Sequence, residues 1–127
     1  MAGIKRTASD ALWSKYVRTR DNWTCQSCGK KYSPDRAGGL HCSHYWSRGY
    51  YNVRFDEANT EALCFGCHQK LGSNPHDHKE HMVNKLGQEE YDKLLIRKNT
   101  SKHGIKKYYL SKEFRAEIKK KLEELDG

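Results

Sequence analysis

Apolar residues recur at helical spacing near the amino-terminal end of the chain, in a stripe formed by Leu12, Trp13, Tyr16 and Val17. This period predicts a first helix over residues 8–21, with Ser9 as its N-cap because a serine hydroxyl accepts a free backbone N–H. Farther along, residues 40–45 have the pattern of a short strand. A turn over 47–52 and a returning strand at 53–55 would complete a hairpin.

The carboxyl-terminal half contains four further segments with apolar residues at helical spacing. They predict helices over residues 64–71, 75–86, 88–98 and 112–125. Gly72 and Gly87 separate the first three of these, and Ser111 is placed to cap the last one. The whole pattern indicates an α+β fold that is mostly α-helical, with a core over residues 1–98 and a basic helical extension over 99–127.

Composition adds two constraints to this picture. Only 35% of the 127 residues are hydrophobic and 31% are charged, so the core is small and a further cross-link is expected. The formal net charge of +8 favours a polyanionic partner such as DNA, because cations that neutralise phosphates release condensed counterions. No apolar segment has the length of a signal peptide or a membrane span, which predicts a soluble intracellular protein with no membrane partner.

The cysteines form two C-x-x-C pairs, Cys25 with Cys28 and Cys64 with Cys67, while Cys42 stands apart. A C-x-x-C turn places two thiolates on one tetrahedral zinc ion, and two such turns complete a closed structural site. A disulfide or redox role is the alternative, which an intracellular location disfavours. We therefore predict a structural Zn²⁺ held by the four paired cysteines, with Cys42 outside this zinc site as a small residue that favours a buried position.

A histidine, an asparagine and a second histidine follow the first cysteine pair in the order His44, Asn59, His68. The segment NTEALCFGCH at residues 59–68 resembles, position for position, the end of the motif in zinc-containing HNH (ββα-metal) endonucleases. In that motif the first histidine lies on a strand, the asparagine in a loop and the second histidine on a helix.

Other motifs are similar to those of the phage NinG (Rap) family of recombination nucleases. They are an arginine (Arg48) after His44, the segment RFDEAN at 54–59, the turn GSN at 72–74 and the segment LGQEEY at 86–91. Members of that family often have asparagine where this chain has His68. Many HNH enzymes have a metal ligand at the position of Ser43, so the second metal ligand stays open.

The resemblance implies a zinc-stapled ββα-metal fold and an endonuclease that hydrolyses DNA to 5′-phosphate and 3′-hydroxyl ends. His44 is then the general base, since histidine titrates near neutrality, and Asn59 holds the loop or orients the imidazole. His68 is expected to bind one catalytic divalent ion, which is Mg²⁺, Mn²⁺ or Zn²⁺. Further ligands are sought among His41, Cys42, His76 and His78.

Basic residues supply candidate DNA contacts, because guanidinium and ammonium groups pair with phosphate oxygens. The candidates are Arg48, Arg54, Lys106, Lys107 and Arg115. The NinG likeness implies phage origin, branched or recombining DNA as substrate, and action in the cytoplasm of an infected or host bacterium. A homodimer would suit such a substrate.

Two other functions remain open at this stage. One is a different use of the same catalyst, as a nicking, homing or packaging-associated nuclease. The other is a zinc-stabilised DNA-binding module without catalysis, for which Ser43 is the main argument. Each candidate residue also has a structural interpretation: His44 could bond within the hairpin, His68 and His76 could be solvated, and Asn59 could cap a turn.

Overall fold

The computed structural model describes residues 5–36 and 38–126 of the chain. It is mostly helical, with one two-stranded sheet, so it has the predicted α+β class. The elements, in chain order, are α1 (Ala8–Arg20), β1 (Leu40–His44), α2 (Tyr51–Arg54), β2 (Thr60–Cys64), α3 (Phe65–Gly72), α4 (Pro75–Leu86), α5 (Gln88–Lys98), α6 (Ile105–Tyr109) and α7 (Lys112–Asp126). Single 3-10 turns lie at Pro34–Arg36 and Glu57–Asn59.

Helix α1 begins where the sequence predicts, but its cap is Thr7 rather than Ser9. The Thr7 hydroxyl accepts from the N–H of Asp10, whose carboxylate accepts from the N–H of Thr7 in return. This reciprocal capping box satisfies two backbone donors that a helix start leaves unpaired. Ser9 is buried instead, so its hydroxyl faces the interior of the protein.

The sheet corrects the predicted hairpin. The predicted returning strand at 53–55 is wrong, because Val53 and Arg54 end the short helix α2. The partner of β1 is β2, antiparallel, with Leu40 opposite Cys64 and His44 opposite Thr60. This register brings the second cysteine pair beside the first, since the N–H of Gln26 donates to the carbonyl of Ala62 in β2.

Two apolar clusters hold these elements together. The larger joins α1 to α7 and to Phe55, and its buried members are Trp13, Tyr16, Val17, Phe55, Phe114 and Ile118. The smaller lies under the cysteine pairs and contains Cys25, Leu40, Ala62, Leu63 and Leu71. Because Phe114 and Ile118 belong to the first cluster, the basic carboxyl-terminal helix packs on the core.

The remaining helices follow the predicted order. Ser111 accepts from the N–H of Phe114 and so caps α7, and Gly87 adopts φ +84° at the junction of α4 and α5. Such a left-handed backbone favours glycine. Helix α6 was not among the predicted helices. Among the described residues, no helix has the length and apolarity required to cross a bilayer.

Candidate metal centre and candidate active site

The four paired cysteines converge on one point. Their sulfur atoms all lie within 4.8 Å of one another, and Cys28 Sγ lies 3.8 Å from Cys64 Sγ. Zinc–sulfur bonds of about 2.3 Å at tetrahedral angles place neighbouring sulfurs ~3.8 Å apart. The N–H groups of Cys28 and Cys67 each point at the first sulfur of their own pair, at 3.5 Å. The cluster therefore has the donor set and spacing to hold a metal ion such as zinc.

The pKa values of two thiols in this cluster are shifted in opposite directions. Burial raises the pKa of Cys25, but backbone N–H groups of Cys28, Cys64 and Ser27 outweigh it and lower the pKa to about 7. Burial and hydrogen bonds with the neighbouring thiols raise the pKa of Cys67 to about 12. Four adjacent thiolates repel one another unless a divalent ion neutralises them.

The predicted histidines on β1 and α3 border one cavity of about 570 Å³. His44 and His68, the predicted base and metal ligand, both line it, and so does His41. The rings of His41 and His68 are stacked, with centroids 5.6 Å apart. An offset of three residues would place His41 and His44 on opposite faces of a regular strand, yet both border this cavity.

One ring nitrogen of His44 is fixed by the backbone. Its Nε2 lies 3.0 Å from the carbonyl oxygen of Arg54, and since a carbonyl only accepts, Nε2 carries the proton and Nδ1 has the free lone pair. Burial lowers the pKa of His44 to about 4; the hydrogen bond to the Arg54 carbonyl opposes this effect, and the nearby charge of Arg48 adds to it. The ring is therefore neutral at pH 7, whereas the sequence suggested titration near neutrality.

Asn59 clamps the loop that follows His44. It is 1% exposed, and its Oδ1 accepts from the N–H of Trp46 at 2.8 Å. Its Nδ2 donates to the carbonyls of Trp46 at 2.9 Å and Val53 at 3.0 Å. The Asn59 side chain thus joins the two ends of the segment that runs from Tyr45 to Arg54. The carbonyl of Arg54, the last residue of this segment, accepts from His44.

Three arginines surround the cavity, and two of them were missed from the sequence. Arg6 and Arg18 line it together with the predicted Arg48. Arg18 is on α1, half-buried, with its guanidinium 5.1 Å from the ring centroid of Trp23. Arg18 belongs to no recognisable sequence motif, so the sequence did not mark it as a site residue. The packing of α1 beside β1 brings it to the cavity.

Arg54 is placed differently from the prediction that it contacts DNA. Its side chain is 1% exposed, and its Nε donates to Asp10 Oδ1 at 3.0 Å. Other N–H groups of the guanidinium donate to the backbone carbonyls of Lys5 and Arg48. An interior guanidinium committed in this way is not available to a phosphate on the surface, so we assign Arg54 a structural role.

The other predicted residues lie outside this cavity. Lys106 and Lys107 are exposed on α6, with Lys106 Nζ 5.4 Å from the ring centroid of Tyr51, and Arg115 Nη1 donates to the carbonyl of Leu110. His76 and His78 border a second cavity, which also includes His44 and His68. Neither therefore joins His41 at the first cavity.

Comparison with known proteins identifies relatives among phage proteins. A family model described as bacteriophage lambda NinG protein matches residues 6–127. Protein ninG of Escherichia phage 933W and protein ninG of Enterobacteria phage VT2-Sa are each 29% identical to the chain over 96 residues. The alignments cover 69% of this chain and 42% of each relative, so the chain spans less than half the length of these curated proteins. No solved structure matches. Because the family model covers nearly the whole sequence, the chain belongs to the NinG family of bacteriophage proteins.

Proposed function

We propose that this NinG-family chain is a metal-dependent HNH-type DNA endonuclease that hydrolyses phosphodiester bonds. The observation that carries the proposal is the first cavity, whose lining includes three histidines and three arginines. Phosphodiester hydrolysis needs a proton acceptor, a positively charged binding surface and stabilisation of the leaving oxygen. The cavity offers side chains for each of these requirements.

His44 is the proposed general base. Its Nε2–H is committed to the Arg54 carbonyl, which leaves Nδ1 as the atom that takes a proton from the attacking water. The neutral ring has a vacant acceptor throughout the physiological pH range. The clamp formed by Asn59 on Trp46 and Val53 fixes the loop that supports this imidazole, so Asn59 is a positioning residue.

The arginines are the proposed phosphate contacts. Arg6, Arg18 and Arg48 border the same cavity as the imidazoles, and guanidinium groups pair with two phosphate oxygens at once. Lys106, Lys107 and Arg115 lie farther along the surface, where they would hold the DNA backbone away from the cleaved bond.

The proposed catalytic ion would be held by His68 with His41 beside it. Imidazole nitrogens suit Zn²⁺, and water and phosphate oxygens would complete the shell for Mg²⁺ or Mn²⁺. Such an ion supplies charge neutralisation for the leaving 3′ oxygen. His78 remains a candidate only through the second cavity, where it is buried.

Nicking of supercoiled plasmid tests this function. Zinc-loaded protein is incubated with Mg²⁺ or with Mn²⁺, and an EDTA reaction sets the background. We expect His44→Ala to reduce nicking by at least about a hundredfold, the loss typical of a removed general base. The matched control is His103→Ala, an exposed histidine between α5 and α6, which should retain full activity. Equal nicking by His44→Ala would remove His44 from its role.

The proposal that the substrate is branched DNA rests on the resemblance to the NinG family and needs its own test. Cleavage of a four-way junction is compared with cleavage of linear duplex arms of the same sequence. A recombination nuclease should cut the junction faster, whereas equal rates would favour a nicking, homing or packaging-associated nuclease.

A DNA-binding module without catalysis is the second candidate, and Ser43 favours it. The residue next to His44 is a serine, 2% exposed, where HNH enzymes frequently place a metal ligand. Retained duplex binding with no nicking in Mg²⁺, Mn²⁺ or Zn²⁺ would select this function over the endonuclease.

A further inference from the structure

A second cavity of about 800 Å³ adjoins the first and shares His44 and His68 with it. Its lining differs in chemistry from that of the arginine-bordered cavity. Aromatic and aliphatic side chains dominate, contributed by Tyr45, Trp46, Leu71, Pro75, Tyr91 and Leu95. A volume of this order is typical of sites that enclose a small organic group.

The aromatic side chains of this cavity support one another. The ring of Tyr45 lies edge-on to Trp46, with centroids 4.9 Å apart, and edge-on to His78, at 4.8 Å. The hydroxyls of Tyr45 and Tyr91 are hydrogen-bonded at 2.8 Å. Lys98 Nζ lies 4.1 Å from the Trp46 ring centroid, in a cation–π contact with that indole. The rings are therefore fixed before any ligand arrives.

Two polar atoms in these walls lack partners. Trp46 Nε1 and His78 Nε2 are buried with no hydrogen-bond partner in the described part of the chain. Leaving such atoms unsatisfied costs free energy.

We propose that the second cavity receives one unpaired DNA base next to the phosphate bound at the first cavity. This inference rests on the proposed DNA function and names its substrate class: DNA with an unpaired nucleotide beside the contacted phosphate. The two cavities meet at His44 and His68, as a phosphate and its own base meet along one strand. A base that stays paired and stacked in a duplex cannot enter a pocket of this kind.

Fluorescence of 2-aminopurine tests the pocket without requiring cleavage. The probe is a duplex with one unpaired 2-aminopurine, compared with the same duplex fully paired, in buffer with no added divalent metal. Base stacking on aromatic side chains is expected to make the protein bind the bulged duplex roughly tenfold more tightly and to quench the probe.

A filling variant and its matched control localise the effect. Gly72 borders the cavity, and a Cβ there meets nothing within 4 Å, so the position has room for the first atom of a larger side chain that would fill the cavity. Gly72→Leu should remove the preference for the bulged duplex and keep the affinity for the paired one, while Gly72→Ala should keep both. Trp46→Leu should also lose the preference, and Trp46→Phe, which retains an aromatic face, should restore most of it.

The outcomes separate this inference from the nuclease proposal. Equal binding of bulged and paired duplexes by the wild-type protein would overturn the pocket, whether or not the protein nicks plasmid. An unchanged preference in both Gly72→Leu and Trp46→Leu would also overturn it. A preference that both variants abolish, in a protein that cuts nothing, would support the pocket and leave the endonuclease proposal rejected.

Discussion

The carboxylate of Asp10 accepts hydrogen bonds from two nitrogens of the Arg54 guanidinium in a pair that solvent hardly reaches, since Asp10 is 6% and Arg54 is 1% exposed. The pair joins the first turn of α1 to the end of α2, and the Arg54 carbonyl accepts from His44. Arg54 thus connects the first turn of α1 to His44, the proposed general base.

Asp10→Asn should strongly destabilise the protein, because it leaves the Arg54 charge buried without its partner. We expect the free energy of unfolding to fall by about 3 kcal/mol, measured by urea denaturation. Thr7→Ala is the control, since it removes the capping hydroxyl, which also donates to Asp10, but leaves the Arg54 ion pair in place, and it should cost ~1 kcal/mol. Equal losses in the two variants would mean that the ion pair adds nothing beyond the cap.

The same pair sets the acid limit of stability. Burial raises the pKa of Asp10, but hydrogen bonds from Arg54 and Thr7 outweigh it and hold the pKa below its ordinary value of 3.8. A carboxyl with a depressed pKa in the folded state stabilises fully above its unfolded pKa and loses that contribution as pH falls through the folded value. The stability difference between wild type and Asp10→Asn should therefore be constant above about pH 5 and shrink below 3.8. A difference that stays constant down to pH 2.5 would contradict this.

Cys25→Ser should release the metal that the four-cysteine cluster holds. Cys25 is 2% exposed beneath the cluster, and loss of one thiolate from a closed site removes both affinity and folding free energy. We expect zinc content, measured by atomic emission on purified protein, to fall well below one ion per chain, together with a lower Tm. Cys42→Ser, which changes the cysteine outside the cluster, should keep its zinc. Full zinc occupancy in Cys25→Ser would reject the assigned ligand set.

Much of the fold could be predicted because its causes are local. The stripe that contains Trp13 and Val17 predicts α1, and the two C-x-x-C turns predict a metal cluster with little need of tertiary information. The strand β2 could not be predicted in this way. Its Glu61 is a poor strand former and is 2% exposed, and it is accommodated by His81 and Lys85 from α4, which bond its carboxylate. Those partners lie 20 and 24 residues away along the chain.

The candidate site was predicted in part for the same reason. His44, Asn59 and His68 could be chosen because they belong to a motif. Arg54 was chosen as a surface contact because basic residues are usually exposed, and only the distant Asp10 brings it inside. Arg18 was overlooked because its position beside the cavity depends on how α1 packs against β1.

The contrast between Arg18 and its helix neighbours gives a further prediction. If the first cavity binds phosphate, Arg18→Ala should weaken duplex binding and reduce the slope of log affinity against log salt by about one. Lys15→Ala is the control, since Lys15 is exposed on the same helix and does not border the cavity. The measurement is fluorescence anisotropy of a labelled duplex over a range of salt. Equal slopes in the two variants would show that the arginine-bordered cavity does not contact the backbone of DNA.

The clamp made by Asn59 can be distinguished from simple packing by an isosteric change. Asn59→Asp keeps the size of the side chain and the oxygen that accepts from Trp46 N–H, but it replaces the two donors that face the carbonyls of Trp46 and Val53. Those carbonyls would then face a buried carboxylate, so the loss in unfolding free energy should reach about 3 kcal/mol, two unsatisfied groups at 1–3 kcal/mol each. Asn59→Ala removes all three bonds and should cost at least as much.

If Asn59 served only to fill space, Asn59→Asp would be nearly neutral and Asn59→Ala alone would destabilise. Urea denaturation of the two variants at pH 7 separates these cases. Because the clamp fixes the segment whose end holds His44, nuclease activity measured well below the unfolding transition should fall in both variants by a similar factor. Full activity in a folded Asn59→Asp protein would show that the segment keeps its shape without the amide donors, and that Asn59 does not position His44.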